Sequence, residues 1–362
     1  MSMRLCCRGM LPAALLCLTT LLAGCADRNA DAELQRYLQR LARPLQAAVP
    51  EVSAQAVPRM PAASALRLEI TAGKLGALDF LALTGCEVQV TIGKRNSSLG
   101  LMASPSQRLL LDLEYLRLAP ACIATLREQQ RQALADTLAQ VHELKQRQLP
   151  ALIFNATLAG PEYRQLWQPP QVLGDYPART GSAVLSALAA IDDSARRWLA
   201  GDYRADNLQF ELQLSEVARG DGGALLKALA LQAAWLRAAD TLLTQRMQQG
   251  PLCSERIRPA AADILPNVIT RYFIGEVQPR SAALGRRQHE LLPLLRSLER
   301  RLDGVLPAAF RDWQLQREQL LRAWTAAPRE HVAQLQALLE PCAANPGIIA
   351  ATGTSTVPSL SK

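Results

Sequence analysis

The sequence is poor in aromatic residues, lysine and histidine. Aromatic residues make up 4% of the 362 positions, five of the 40 basic residues are lysines, and three histidines occur. So few histidines argue against a zinc site built from imidazoles, and so few aromatic rings leave little material for a surface that stacks sugars. Wholesale disorder is excluded, because 49% hydrophobic residues can form a sizeable core.

Catalytic motifs with a known spacing are absent. The His-Glu pairs at 142–143 and 289–290 lack the second histidine of an H-E-x-x-H zinc helix. The G-x-S-x-G elbow and the phosphate-binding loop are also missing. A hydrolase of the glycosidase kind needs two carboxylates close together. Acids such as Asp192, Asp193 or Glu211 could form such a pair only if folding brought them together. The sequence therefore favours a protein that is not an enzyme, and it predicts no catalytic residue, no metal and no cofactor.

An export signal occupies residues 1–24. Two arginines precede an apolar run of 14 residues, Met10–Ala23, which is shorter than the roughly 20 residues that a membrane-spanning helix needs. The run ends in the letters LAGC at 22–25, which resemble the lipobox of bacterial lipoproteins. This resemblance implies cleavage before Cys25 and acylation of its thiol.

The lipid at Cys25 makes the membrane the first expected partner. Two or three acyl chains hold a protein stably at a bilayer, whereas one holds it only marginally. An aspartate directly after the lipidated cysteine is the usual signal for retention in the inner membrane, and here Ala26 holds that position, with Asp27 one place later. We therefore expect a protein of the bacterial envelope that faces the periplasm, in the outer membrane rather than the inner membrane.

The positive charge does not indicate a nucleic-acid partner. The net charge is +8 with a pI near 9.3, and removal of the signal takes away two arginines and leaves +6. The basic pairs at 94–95, 286–287 and 300–301 are dispersed and have acidic neighbours, as on a solvated helix face. Because the expected compartment lacks nucleic acid, we expect no such partner, and an anionic polymer or lipid remains a possible contact.

Four cysteines remain in the mature chain after export and lipidation. They are Cys86, Cys122, Cys253 and Cys342. An even number in an oxidising compartment predicts disulfides, and three pairings are possible. We favour Cys86–Cys122 and Cys253–Cys342, because each half of the chain then closes its own pair. A zinc site is disfavoured, because no two of the four lie close in sequence.

The composition predicts a mainly α, multi-helix globular fold. Alanine, leucine, arginine and glutamine dominate, and all form helices well. Apolar and polar residues alternate over 66–70 and 86–92, which predicts a short two-stranded β element near residues 66–92. The stretch 207–214 also alternates, and helix and edge strand both stay open there. We expect one helix to end near Pro120.

Composition also divides the chain into five parts. The predicted organisation is a signal peptide over 1–24, an N-terminal helical region over 25–159, a linker over 160–180, a C-terminal helical region over 181–343 and a disordered tail over 344–362.

The loop around residue 95 is the one candidate ligand site. It concentrates cations and polar side chains just before a helix that Ser104 and Pro105 should start, where unpaired N–H groups attract anions. The anion-binding candidates are Lys94, Arg95, Asn96, Ser97 and Ser98. The alternative is a polar loop whose side chains bond to their own backbone.

Two runs of sequence carry a family resemblance. LTGCEVQVTIGKRNSSLG (83–100) and ASPSQRLLLDLEYLRLAPACI (103–123) resemble a family of uncharacterised proteobacterial lipoproteins with a domain of unknown function. The resemblance covers nearly all of the mature chain. It implies a periplasm-facing lipoprotein lipidated at Cys25 and assigns no activity or substrate.

Three hypotheses for function follow. The first is a non-enzymatic scaffold that binds another envelope protein, which a broad exposed apolar patch on 222–249 or 280–303 would favour. The second is a binding module for an anionic envelope polymer or lipid, which a basic concavity around 93–98 would favour. The third is an envelope hydrolase, which converging carboxylates would favour.

Overall fold

The computed structural model describes residues 31–343 except 72, 74, 75 and 179. Helices and the segments that join them, of which 43–62 and 167–182 are the longest, make up this part of the chain, and no strand occurs in it, so the prediction of a mainly α, multi-helix globular fold is confirmed. The predicted signal peptide over 1–24, the lipidation site Cys25 and the predicted tail over 344–362 lie outside the described residues.

The helices form two groups along the chain. The first group is α1 (Ala32–Ala42), α2 (Ala63–Leu66), α3 (Ala77–Ala82), α4 (Glu87–Asn96), α5 (Ser98–Leu101), α6 (Pro105–Glu128) and α7 (Gln132–Ala156). The second is α8 (Pro161–Leu166), α9 (Ala183–Leu199), α10 (Asn207–Ala218), α11 (Gly222–Gln248), α12 (Ala261–Val268), α13 (Gln278–Arg301) and α14 (Ala308–Ala343). A π-helical stretch, Ile269–Val277, joins α12 to α13. Among the described residues, no helix combines the length and apolar character needed to cross a membrane.

Two hydrophobic cores organise these helices, and α6 and α7 contribute to both. The larger core takes side chains from α1 and α8 to α14, from the first part of α6 and from the second part of α7. The smaller core takes side chains from α4 and from the other parts of α6 and α7. The α6–α7 hairpin therefore projects from the main body and carries α4 on its side.

The predicted linker region contributes to the larger core. Within 160–180, the side chains of Tyr163, Leu166 and Trp167 are at most 2% exposed. Side chains on both sides of that region, such as Leu38 and Leu335, belong to the same core.

The predicted β element near residues 66–92 is wrong. The stretch 86–92 lies mostly in α4, where Val88 and Ile92 are buried on one side and Val90 is 62% exposed on the other. A spacing of four residues between buried positions is helical, and so short an alternating run does not distinguish the two periods. The stretch 67–70 is extended, but it pairs with side chains of α7 instead of with a strand.

The alternating stretch 207–214 is helical. It forms most of α10, in which Phe210, Leu214 and Val217 face the larger core while Leu208 and Leu212 are exposed. Burial at i, i+4 and i+7 matches a helix, so the choice left open by the sequence is resolved in favour of helix.

The helix predicted to end near Pro120 continues to Glu128. Proline has no N–H to donate to the carbonyl of Leu116, one turn earlier. The ring of His142 on α7 replaces that donor, because its Nε2 lies 3.2 Å from the Leu116 oxygen. The chain reverses instead at Gln130, which has a φ of 59°.

Two disulfides close the fold with the pairing that the sequence favoured. Cys86, directly before α4, is bonded to Cys122 on α6, so this bond fastens α4 to the hairpin. Cys253, in the loop after α11, is bonded to Cys342 near the end of α14. Both bonds stabilise chiefly by restricting the unfolded chain.

A buried ion pair lies in the larger core. Arg317 and Glu299 are fully buried and share two hydrogen bonds of 2.6 and 2.8 Å. The guanidinium lies beside the rings of Trp167 and Trp313, 4.7 and 4.8 Å from their centroids, and the two rings contact each other edge to face at 5.5 Å. Burial opposes the charge of Arg317, but the hydrogen bonds and charge of Glu299 outweigh burial and raise its pKa. The Tyr163 hydroxyl also donates to Glu299, at 2.6 Å.

Candidate functional site

The predicted anion-binding loop is a tight turn between two helices. Lys94, Arg95 and Asn96 end α4, Ser97 is the N-cap of α5 and Ser98 is its first residue. The Ser97 hydroxyl donates to the Lys94 carbonyl at 2.7 Å and accepts from the Gly100 N–H at 3.1 Å. The Ser97 side chain therefore bonds to the backbone of the same loop, as the alternative interpretation of this loop expected.

The turn also requires glycine at position 100. A Cβ at Gly100 would lie 2.1 Å from the Lys94 carbonyl oxygen, and backbone atoms cannot yield at that distance. The close approach of α5 to the end of α4 therefore depends on the missing side chain.

The side chains of the turn point into different cavities. Lys94 and Ser97 line a cleft of about 520 Å³ between α6 and α10, where the Lys94 Nζ lies 3.7 Å from a Glu114 oxygen. Arg95 points the other way, and Ser98 is exposed and lines none of the cavities beside the turn. The five predicted residues are thus not brought together in one site.

Arg95 instead meets two arginines that the sequence analysis did not single out. It lines a cavity of about 330 Å³ together with Arg67, which follows α2, and Arg108, on the first turn of α6. We call this cavity the arginine cleft. Its described lining is Arg67, Leu68, Glu69, Ile70, Arg95, Pro105, Arg108, Leu152 and Asn155.

Side-chain amides of α7 hold the extended wall of the arginine cleft. The Asn155 amide accepts from the N–H of Leu68 at 2.9 Å and donates to its carbonyl at 2.8 Å. Two turns earlier, the Gln148 amide, oriented so that both of its groups are satisfied, makes the same two bonds to Thr71 at 2.9 and 3.1 Å. These four bonds fix the extended segment against α7 and place Arg67 at the rim.

The guanidinium groups of the arginine cleft lack carboxylate partners. Within the described chain, no ion pair involves Arg67, Arg95 or Arg108. The Nε atoms of Arg95 and Arg108 are buried and have no hydrogen-bond acceptor, although Arg108 donates from Nη2 to the Leu101 carbonyl at 2.5 Å. An unsatisfied buried donor is costly, so an acceptor that entered the cleft would be bound favourably.

Some partly buried arginines of the described chain are paired with carboxylates, whereas Arg164 and Arg280 leave guanidinium nitrogens without an acceptor, as the cleft arginines do. Arg287 bonds to Asp221 at 2.5 and 2.9 Å, and Arg301 bonds to Asp192 at 2.6 and 2.8 Å. In the arginine cleft, three guanidinium groups share one cavity with a single carboxylate, that of Glu69, which is exposed at its rim. The imbalance leaves the cleft positive.

The acids considered for a hydrolase do not converge. Asp192 pairs with Arg301, Asp193 pairs with Arg196 and Glu211 accepts from a serine hydroxyl at 2.7 Å. Burial would raise the pKa of Asp192, but the hydrogen bonds and charge of Arg301 outweigh burial and hold that pKa below its ordinary value. An ionised, ion-paired acid cannot serve as a general acid.

A tyrosine, a histidine and an aspartate form a chain of hydrogen bonds elsewhere. The Tyr37 hydroxyl lies 2.6 Å from His331 Nε2, and His331 Nδ1 lies 2.5 Å from Asp240. Tyr37 and His331 are at most 1% exposed, and burial, with the charge of Asp240, raises the Tyr37 pKa. These hydrogen bonds join α1, α11 and α14. No cluster of potential metal ligands occurs among the described residues.

The helices α11 and α13 carry no large apolar side chain that is exposed. These are the helices on which a broad apolar patch would have favoured a protein partner. Exposed apolar side chains are spread over other parts of the described chain, and three of them, Leu99, Leu101 and Met102, lie close together next to the arginine cleft and are 85%, 60% and 87% exposed.

Comparison with known proteins assigns a family and no activity. The profile of a family described as "Protein of unknown function (DUF3080)" matches residues 34–346, which include every residue of the arginine cleft. No curated protein and no solved structure matches the chain. The match covers most of the 362 residues, and the chain therefore belongs to the DUF3080 family.

Proposed function

We propose that this protein is a proteobacterial envelope lipoprotein, anchored at Cys25 and facing the periplasm, that binds an anionic ligand without catalysing a reaction. The support for the anchor is the short apolar run before Cys25 and the small residues that end it. Ala26 in place of aspartate favours the outer membrane. The two disulfides fit an oxidising compartment.

One observation carries the ligand class. The buried Nε atoms of Arg95 and Arg108 face no acceptor, and Arg67 adds a third cation at the rim of the same cleft. Guanidinium groups bind phosphate and carboxylate in a bidentate manner. The ligand is therefore expected to carry such a group, as an anionic envelope polymer or lipid does.

The same residues support binding over catalysis. An arginine side chain keeps its proton at neutral pH and cannot act as a general base. Glu69 is the one carboxylate in the described lining, and it lies at the exposed rim. The cleft thus offers charge and hydrogen-bond donors for holding an anion.

Calorimetric titration with pyrophosphate at low ionic strength tests the ligand class. Arg95→Ala and Arg108→Ala should each weaken binding by at least about tenfold, since a hydrogen bond to a charged group contributes about 1.5–3 kcal/mol. Arg219→Ala is the matched control, because that arginine is exposed and pairs with Glu216 outside the cleft. Equal affinity in the control and in both cleft variants would exclude the arginine cleft as the anion site.

Mass spectrometry of the protein purified from its native membrane tests the anchor. The expected N-terminal residue is Cys25 carrying a diacylglyceryl mass, and Cys25→Ala should abolish both processing and acylation. An unprocessed N terminus without acyl mass would refute this part of the proposal.

A further inference from the structure

Arg95 lies between the arginine cleft and a second cavity. The second cavity, which we call the α4 pocket, has a volume of about 350 Å³ and lies between α4, α6 and α7. Its walls are mixed. The apolar side chains are Ile92, Leu101, Leu111, Leu138 and Val141, beside the ring of Tyr115, and the polar ones are Thr91, Arg95, Asn96, Asp112 and Lys145. A cavity of this size that presents both apolar and polar side chains can hold a small amphiphilic molecule.

The polar groups of the α4 pocket include one that is unsatisfied. Lys145 and Asp112 form an ion pair in the wall, so their charges compensate each other. Thr91 is 2% exposed, and its hydroxyl has no hydrogen-bond partner. A hydroxyl that is buried at a pocket wall without a partner is suited to bond a polar group of a ligand.

The α4 pocket opens at an exposed apolar surface. Leu101 lines the pocket and is 60% exposed, and its neighbours Leu99 and Met102 are the two most exposed large apolar side chains of the described chain. Three exposed apolar side chains so close in sequence offer an apolar surface to a ligand. A molecule with a hydrocarbon part would contact this surface before it entered the pocket.

We propose that the ligand is an anionic amphiphile with a single hydrocarbon chain, whose phosphate or carboxylate lies in the arginine cleft and whose chain lies in the α4 pocket. This inference rests on the proposed anion-binding function and extends it. Arg95 is the junction, because it lines both cavities and its buried Nε lacks an acceptor. The Thr91 hydroxyl bonds the ester or hydroxyl oxygen that links the two parts of the ligand.

A series of n-alkyl phosphates, from methyl to hexyl, separates headgroup binding from chain binding. The full-length protein is held in nanodiscs of phosphatidylcholine, and empty nanodiscs correct for partition of the ligand into lipid. Each buried methylene should raise the affinity about fourfold, until the pocket is filled. Inorganic phosphate gives the affinity of the headgroup alone.

Two substitutions locate the hydrocarbon chain. Val141→Trp fills the α4 pocket from α7 and should remove the dependence on chain length while methyl phosphate still binds. Val90→Trp, on the exposed side of α4, is the matched control and should keep the dependence. The series measured on the unaltered protein does not rely on either variant folding.

The outcomes distinguish the two proposals. A constant affinity from methyl to hexyl phosphate would overturn the amphiphile and leave the arginine cleft as a site for hydrophilic anions. A rising series that Arg95→Ala and Arg108→Ala do not weaken would overturn both, because the chain would then bind without the cleft. Absence of binding for every phosphate would also overturn both.

Discussion

Removing the charge of Glu299 should destabilise the fold strongly. Glu299→Gln keeps the shape of the side chain but leaves the Arg317 guanidinium fully buried without its main partner. The amide keeps one accepting oxygen and turns the other position into a donor that faces the guanidinium, so one of the two bonds, of 2.6 and 2.8 Å, is lost at about 1.5–3 kcal/mol, and the other loses its charge. Glu318, 2.8 Å from Arg317, offsets part of this loss. We expect the free energy of unfolding to fall by about 3–5 kcal/mol, as when one partner of a buried pair is removed.

Urea unfolding followed by circular dichroism, with the disulfides intact, measures this change from the midpoint and slope. Asp193→Asn is the control, because it breaks an exposed pair with Arg196 and should leave the midpoint close to that of the unaltered protein. The double variant Glu299→Gln with Arg317→Met should lose less than the sum of the single variants, since no unpaired charge then remains. A loss below about 1 kcal/mol for Glu299→Gln would refute the reasoning, because so small a loss is typical of an ion pair that is exposed to solvent.

Three further outcomes follow from single contacts. Thr91→Val should raise the free energy of unfolding by about 1 kcal/mol, because it removes an unsatisfied buried hydroxyl, and a decrease in thermal stability would contradict this. His142→Ala should lower it by about 1 kcal/mol through the loss of the donor to the Leu116 carbonyl, whereas His289→Ala, at an exposed position, should not. The pKa of Asp192 is lower in the folded chain than its ordinary value of 3.8. The folded state therefore binds fewer protons between these two values, so that stability should fall as pH drops below about 3.8. Acid unfolding of Asp192→Asn should lack this loss of stability. An identical dependence of stability on pH in the variant and the unaltered protein would contradict the attribution to Asp192.

The mainly α fold was predictable from composition, but local patterns were misleading at two places. Residues 207–214 alternate by period two, yet the surrounding sequence forms helix, and the buried set Phe210, Leu214 and Val217 follows the helical period. Local alternation over so few positions carries little information. Pro120 was misleading for a different reason, because the compensating donor, His142, comes from another helix and no local rule includes it.

The candidate site was predictable only in part. Arg95 was predicted as an anion-binding residue because polar residues are concentrated before the helix that Ser104 caps. Arg108 lies on the first turn of that helix. Arg67 comes from a segment that the sequence suggests is a β-strand, and its place at the cleft depends on amides far along α7. Pairing between segments so distant in sequence has no local signature, and this explains why the cleft could not be assembled from motifs.

Asn155 and Gln148 serve the extended segment as a surrogate for an adjacent strand. Each amide offers the donor and acceptor that a neighbouring peptide unit would offer, although the bonded residues, Leu68 and Thr71, are three positions apart and not two as in a strand ladder. The backbone next to Arg67 is therefore positioned by α7. In Asn155→Asp the carboxylate accepts but cannot donate, so the bond to the Leu68 carbonyl would be lost and the rim of the cleft would be held less firmly, although residue 155 need not contact the ligand. Two amides on one face of a helix can in this way fix the backbone that carries a long arginine side chain of the site.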